Sequence, residues 1–85
     1  MQIQINCKLI VPGSEDLNQV VVEVIDFLVE TVQAGWTVWN TLHGSNSGNS
    51  EFNIAIVSEA DRETLDAQFD ILRKQVSYPI TVEYL

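Results

Sequence analysis

The sequence is poor in the side chains that bind metals or carry out nucleophilic catalysis. It contains one cysteine, Cys7, and one histidine, His43, among 85 residues. A structural zinc site needs four converging ligands, and a single cysteine cannot form an internal disulfide. The glycines form neither a dinucleotide-binding fingerprint nor a phosphate-binding loop. We therefore expect no metal, no cofactor and no disulfide framework of the kind that secreted proteins use.

Basic residues are also scarce. Four Lys and Arg stand against twelve Asp and Glu, which gives a formal net charge of −8. A negative field repels phosphates, so we expect neither direct binding to nucleic acid nor attachment to an anionic membrane surface. The acidic balance either favours a basic protein as partner or serves only to keep the protein soluble.

No uninterrupted apolar run is long enough to cross a membrane. The most apolar stretch, residues 17–32, is broken by Glu23, Asp26 and Glu30, whereas a span needs about 20 mostly apolar residues. The first residues lead directly into a strand pattern, without the basic and apolar regions of a signal peptide. These absences predict a cytoplasmic protein.

The composition nevertheless supports a hydrophobic core. Hydrophobic residues make up 46% of the chain and charged residues 19%, whereas disordered chains combine low hydrophobicity with high charge. Because domains most often comprise about 100–150 residues, we expect residues 1–85 to form one domain.

Two periodicities divide the chain into six elements. Alternation of apolar and polar residues predicts four strands, at residues 3–11, 36–42, 52–57 and 80–84. Apolar residues at steps of three and four predict two helices, one at residues 15–34 and one that opens at residues 58–61 and runs to about residue 76.

Short polar segments mark the ends of these elements. We expect Ser14 to cap the first helix, Gly35 to end it, and Ser58 to open the second helix through a capping box. Residues 43–50 are small and polar, which predicts a long, mobile hairpin loop between the second and third strands.

The resulting order, β-α-β-β-α-β, is that of the ferredoxin-like fold. We therefore predict an α+β domain with a four-stranded antiparallel sheet and two helices on one sheet face. The first and third strands should be central, and the second and fourth should lie at the edges.

The other sheet face should be open to solvent and mostly polar. RNA-binding sheets of this architecture stack bases on aromatic residues of the central strands, where this chain has Gln, Asn and Ala. If Trp36, Val38 and Leu42 point toward the helices, Trp39 is the aromatic side chain on the open face and a candidate interface anchor. Which of Trp36 and Trp39 is buried stays open.

The first helix has more apolar surface than one core requires. Its apolar arc spans roughly 220°, whereas a helix that covers one core needs a stripe of about 100°. The surplus flank carries either Val20 and Phe27 or Val22 and Val29, depending on where the second helix packs. A second copy of the chain, another partner or the hairpin loop could cover it, and we favour a homodimer because symmetric pairs are the commonest oligomers.

The polar side of the same helix is acidic. Asp16, Glu23, Asp26 and Glu30 recur at helical spacing, without a basic residue between positions 14 and 34. This stripe is either a solvated helix face or a docking surface for a basic partner.

Catalysis is the weakest of the possibilities. Nucleophilic catalysis needs a nucleophile, a base and an orienting group. His43 with Ser45, Ser47 and Glu51 offers these groups, but on a Gly- and Ser-rich loop that is a poor scaffold for fixed geometry. His43 is therefore the only candidate base of an enzyme, and a hydrogen-bonding residue at a strand end is the other interpretation.

Three functions fit these observations. The first is a non-catalytic interaction module, a homodimer that docks onto a macromolecular partner. The second is a small acidic inhibitor of the phage or mobile-element type, which presents carboxylates in place of nucleic-acid phosphates. The third is a regulatory domain with a small molecule at the subunit interface. Residues 9–17, a strand followed by Pro-Gly and a helix, are similar in outline to amino-acid-binding regulatory domains of this topology.

Overall fold

A computed structural model describes residues 1–85 and contains six elements. In chain order these are β1 (Ile3–Pro12), α1 (Leu17–Val32), β2 (Gly35–Leu42), β3 (Asn49–Ser58), α2 (Arg62–Gln75) and β4 (Thr81–Tyr84). The alternation of side chains predicted each strand, and the change of period from two to 3.6 predicted each helix. Neither helix has the length and hydropathy that crossing a membrane requires.

The four strands form one antiparallel sheet in the order β2-β3-β1-β4. Both helices lie on one face of this sheet, so the predicted ferredoxin-like fold is confirmed, with β1 and β3 central and β2 and β4 at the edges. The central pair runs in continuous register from Ile3 opposite Ser58 to Pro12 opposite Asn49.

The core lies between the helices and the inward-facing residues of β1 and β3. Cys7, Leu9, Phe52 and Ile54 are fully buried in this layer, and Phe69 of α2 packs into the same cluster. Burial raises the pKa of the Cys7 thiol to about 12, so it stays protonated at neutral pH. Cys7 is therefore a small core residue rather than a reactive thiol.

The ends of α1 differ from the predicted ones. Asp16, not Ser14, is the N-cap, and its carboxylate accepts hydrogen bonds from the backbone N–H groups of Asn18 and Gln19. Gln33, not Gly35, provides the left-handed C-cap, with φ of 54°. Gly35 is instead the first residue of β2.

The start of α2 also lies later than the capping-box pattern predicted. Asp61 is the N-cap and accepts a 2.8 Å hydrogen bond from the backbone N–H of Thr64, which lowers the pKa of the Asp61 carboxyl. Ser58, three residues before Asp61, instead closes the turn that precedes the helix, where its hydroxyl accepts a hydrogen bond from the N–H of Ala60. Both serines were mistaken for caps because an aspartate two or three residues later serves better.

A β-bulge interrupts β2 near its end. Trp39 pairs with Asn53, but Leu42 pairs with Glu51, so β2 contains one extra residue between these two pairs. Asn40 absorbs the change with a positive φ of 59°. The bulge places Leu42 on the open face with Glu51, whereas the sequence predicted it to point toward the helices.

The hairpin loop is held by its own hydrogen bonds and by β1. The N–H of Ser45 donates to the carbonyl of Asn49 (2.7 Å), and the N–H of Gly48 donates to the carbonyl of Ser45 (2.8 Å). Gly13 donates to the carbonyl of Gly48 (3.0 Å). A Cβ atom at Gly13 would lie 2.6 Å from that same carbonyl oxygen, so the approach of β1 to the loop requires glycine there.

We predict that Gly13→Ala destabilises the fold by about 1–3 kcal/mol, because the added methyl group overlaps a backbone atom that cannot rotate away. Denaturant unfolding monitored by circular dichroism measures this change. Ser14→Ala is the matched control at the next, exposed position and should stay within about 0.5 kcal/mol of the wild type. A loss near 1 kcal/mol for Ser14→Ala would instead support Ser14 as the helix cap.

Candidate interaction surfaces

The two flanks of α1 have different surroundings. Phe27 is 8% exposed and belongs to the core, where it lines a cleft together with Leu72 of α2. Val22 and Val29, on the opposite flank, are 51% and 43% exposed. Of the two alternatives that the sequence left open, the uncovered flank is therefore that of Val22 and Val29, and Phe27 is a core residue that reaches the surface only at this cleft.

Each helix lies over a different part of the sheet. Contacts of Arg62 and Asp66 with Tyr84 place α2 beside β4, and α1 packs on β3, which neighbours β2. Val22 and Val29 are about 100° or more round the helix from the buried residues of α1, so they project mainly away from the sheet.

The acidic stripe is divided between structural and solvent-exposed carboxylates. Asp16 caps α1, and Glu23 accepts a 2.8 Å hydrogen bond from the hydroxyl of Tyr78. Asp26 and Glu30 have no hydrogen-bond or ion-pair partner within the chain and are exposed. The sequence could not indicate the partner of Glu23, because 55 positions separate it from Tyr78.

A cleft of about 260 Å³ runs between α1 and α2. Its lining residues combine carboxylates with apolar carbon, namely Glu23, Asp26, Phe27, Glu30, Leu72 and Gln75. A lysine or arginine side chain has the matching chemistry, since its aliphatic stem can lie on apolar surface while its charged end meets a carboxylate.

A second cleft of about 360 Å³ lies at the C-terminal end of α1, beside the start of α2. It is lined by Glu30, Thr31, Val32, Gln33, Glu59, Ala60 and Thr64. Neither cleft includes the Pro12-Gly13 turn between β1 and α1, which is the position that the small-molecule hypothesis favoured.

Both tryptophans of β2 are exposed, on opposite faces of the sheet. Trp36 pairs with Ile56 on the helix-covered face, yet it is 49% exposed, because α1 covers β3 rather than the edge strand. Trp39 pairs with Asn53 on the open face and is 38% exposed. With Leu42, which is 49% exposed, they give this edge apolar surface on both sides.

β2 contains no charged residue between Gly35 and Leu42. This absence of charge is visible in the sequence and distinguishes β2 from the rest of an acidic chain. The neighbouring open face is polar, and its central strands carry the ion pair of Lys8 with Glu51 at 3.8 Å.

The candidate catalytic residues are not assembled into a site. His43 is exposed, the hydroxyls of Ser45 and Ser47 contact each other at 2.8 Å, and Glu51 pairs with Lys8. The chain contains no group of three or more His, Cys, Asp or Glu side chains placed to hold a metal ion.

Comparisons with known proteins give little further information. No protein-family model matches the chain, and no curated protein matches it. Among solved structures, one that aligns is a Thermus thermophilus protein described as a PII-like signaling protein. The alignment has a TM-score of 0.48 and 16% sequence identity, and covers 99% of this chain and 86% of the other. Similarity at this level does not transfer a function.

The two tyrosines of the chain both have raised pKa values. For Tyr78 the causes are burial, then the hydrogen bond to Glu23 and the negative charge of that carboxylate. For Tyr84 they are burial, then the hydrogen bond to Asp66. Each phenol thus remains protonated in the folded state at a pH where an unfolded tyrosine, with a pKa of about 10, ionises.

We predict that the free energy of unfolding falls as the pH rises above about 10, because the unfolded state then loses phenolic protons that the folded state retains. Tyr78→Phe removes one of these protons, so the alkaline loss of stability should be smaller in this variant. Denaturant unfolding at a series of pH values between about 9 and 11 measures it.

Glu23→Gln should lower the pKa of Tyr78 in the ultraviolet titration of tyrosinate, whereas Glu30→Gln should not. Equal effects of the two would contradict the Glu23–Tyr78 contact.

Proposed function

We propose that this chain is a non-catalytic protein–protein interaction module that forms a homodimer and docks a basic macromolecular partner. The observation that supports it is the placement of uncovered apolar side chains. Nine large hydrophobic residues are exposed, and five of them lie on α1 and β2: Val22, Val29, Trp36, Trp39 and Leu42. Single exposed hydrophobic residues are ordinary, whereas three of them on one edge strand, Trp36, Trp39 and Leu42, are typical of an interface.

The homodimer accounts for this concentration better than a heterologous partner does. Symmetric pairs need only one self-complementary surface, and they are the commonest oligomers. β2 contains no charged residue, so two copies with a net charge of −8 each can approach along it with the least repulsion.

The docking of a basic partner is supported by the cleft between α1 and α2. Asp26 and Glu30 are exposed at its rim, and no cation of the chain neutralises them. Phe27 and Leu72 provide apolar carbon in the same cleft. A basic side chain would thus find both of the contacts that its structure allows.

The acidic-inhibitor alternative requires the whole stripe to imitate successive phosphates. Asp16 and Glu23 are occupied by the N-cap and by Tyr78, which leaves Asp26 and Glu30 as the outward pair. Two carboxylates suit the recognition of a basic side chain better than the imitation of a nucleic-acid backbone.

Native mass spectrometry of the complex recovered from the host tests the proposal. We expect a homodimer accompanied by a basic protein in a fixed ratio. A homodimer that carries a small molecule on each subunit would contradict the interaction module and support a regulatory ligand-binding domain. A bare monomer would contradict the homodimer.

The double variant Asp26→Asn, Glu30→Gln tests the docking site once the partner is known. We expect about tenfold weaker binding or more, because two charge contacts are removed without a change of shape. The control is Glu63→Gln, Glu83→Gln, which removes two exposed carboxylates that line neither cleft and changes the net charge equally. Titration calorimetry with the purified partner measures both. Equal weakening in the two would indicate a general effect of charge rather than this cleft.

A further inference from the structure

The hydrogen-bonding pattern of the sheet identifies which backbone groups are free on β2. The N–H of Leu85 donates to the carbonyl of Asn6, so the groups of Asn6 point toward β4. Because these directions alternate along a strand, the groups of Cys7 point toward β3, and the bond from Gly13 to Gly48 agrees with this alternation.

The same alternation of backbone directions applies to β3 and to the edge strand β2. Ala55 pairs with Asn6 in β1 and with Thr37 in β2, so Ala55 and Thr37 exchange hydrogen bonds. The N–H and C=O groups of Trp36 and Val38 must then point outward, away from the sheet. They are the unpaired groups of the β2 edge.

The two edges of the sheet differ in how they are protected. Edge strands are usually protected by shortness, charge or proline. β4 has four residues, includes Glu83 and follows Pro79. β2 has eight residues without charge or proline, and the bulge at Asn40 interrupts it only near its end.

The sequence of β2 is complementary to itself in one antiparallel register. A two-fold axis at Thr37 places Trp36 opposite Val38 of the second copy, so that their outward groups can form four hydrogen bonds in a symmetric pair. It also places Trp39 opposite Gly35 of the second copy, on the open face. Glycine leaves room for the indole ring, which is a favourable pairing of an edge glycine with an aromatic residue.

The equivalent pairing of β4 is unfavourable. The backbone N–H and C=O groups of Lys8, like those of Asn6, point toward β4, so Glu83 exchanges hydrogen bonds with Lys8. The backbone groups of Val82 and Tyr84 therefore point outward. A symmetric pair would therefore place Glu83 directly opposite Glu83 of the second copy, and like charges in opposing positions destabilise a sheet. At the centre of the β2 pair, two threonines meet instead, which is a favourable combination.

Pairing through β2 also brings the two α1 helices near each other. A two-fold axis normal to the sheet keeps the helices of both copies on the same face. With strands about 4.8 Å apart and α1 above β3, the two α1 axes lie about 14 Å apart, and helices in direct contact lie about 8–10 Å apart. The gap is about one layer of side chains, and Trp36, which is exposed on the helix-covered face of β2, lies beside it.

We propose that the chain dimerises by antiparallel pairing of β2 with β2 of a second copy, with Thr37 on the two-fold axis and the two sheets joined into one of eight strands. This inference rests on the homodimer of the proposed function and adds its surface and register. Apolar surface of Trp36, Trp39 and Leu42, which are exposed on β2, would be buried with the paired strands and add to the interface.

Thr37→Lys tests the pairing, with Thr81→Lys as its matched control. Both threonines are exposed on the open face of an edge strand, and both changes reduce the net negative charge by one. Two lysines would meet at the two-fold axis in the first variant alone, so we expect a dissociation constant raised about tenfold or more. Sedimentation equilibrium measures it, against a subunit mass of 9.6 kDa.

The outcomes separate this inference from the proposed function. Dimeric wild type and Thr81→Lys with a dissociating Thr37→Lys support the β2 register. Dimers in all three proteins would overturn the register while the homodimer stands. A monomeric wild type at high micromolar concentration would overturn both.

Two further variants remain informative if Thr37→Lys folds poorly. A Cβ atom on Gly35 meets only ordinary contacts with Val57 in the monomer, so Gly35→Ala should fold normally and still weaken the dimer, because it crowds Trp39 of the second copy.

Thr37→Cys should form an intermolecular disulfide on mild oxidation, since opposing positions of this type lie within disulfide reach. Thr81→Cys should not form it. Failure of Thr37→Cys to cross-link in a dimeric protein would overturn the register.

Discussion

The antiparallel pairing of β1 with β3 is the constraint on which the rest of the structure depends. Its register, Cys7 opposite Ile54, places every second residue of both strands in the core and the others on the open face. A shift by one position would exchange these two sets and expose Leu9 and Phe52. The same register fixes the direction of each backbone hydrogen bond, and thereby which groups remain free at the two edges.

The two helices differ in how firmly they are attached to the edge strands of the sheet. α2 is tied to β4 by the contacts of Tyr84 with Arg62 and Asp66 and by the bond from Arg73 to the carbonyl of Ile80. No comparable side-chain contact ties α1 to β2. The β4 edge is thus tied to the helix layer by side-chain contacts and the β2 edge is not, and the exposed apolar residues Trp36, Trp39 and Leu42 lie on β2.

Much of this fold was predictable from the sequence, because a strict period of two and a helical period leave few alternatives for the element order. The single extra residue in β2 was not predictable, since Asn40 carries no signal that distinguishes a bulge from a regular strand. It reversed the face of Leu42. The caps were also misplaced, because both Ser14 and Asp16 satisfy the same chemical requirement and only the chain path chooses between them.

The candidate surfaces were predictable only as alternatives. The apolar arc of α1 indicated that one flank would be left over, but the choice between Phe27 and Val29 depends on the side that α2 occupies, which is a long-range fact. Likewise the acidic stripe was visible, whereas its division into occupied and exposed carboxylates depends on the distant Tyr78. Local periodicity determines what a residue can do, and tertiary contacts determine whether it is already used.

The distribution of charge gives these surfaces a common physical logic. Glu23, Asp26 and Glu30 line the cleft between the two helices, and β2 contains no charged residue. The negative charges of α1 are therefore not on the β2 strand, where two like-charged copies would have to meet. Two acidic chains associate with least repulsion through a surface without charge, and β2 is such a surface. The carboxylates that remain exposed would then stay accessible to a basic partner on the outside of the dimer.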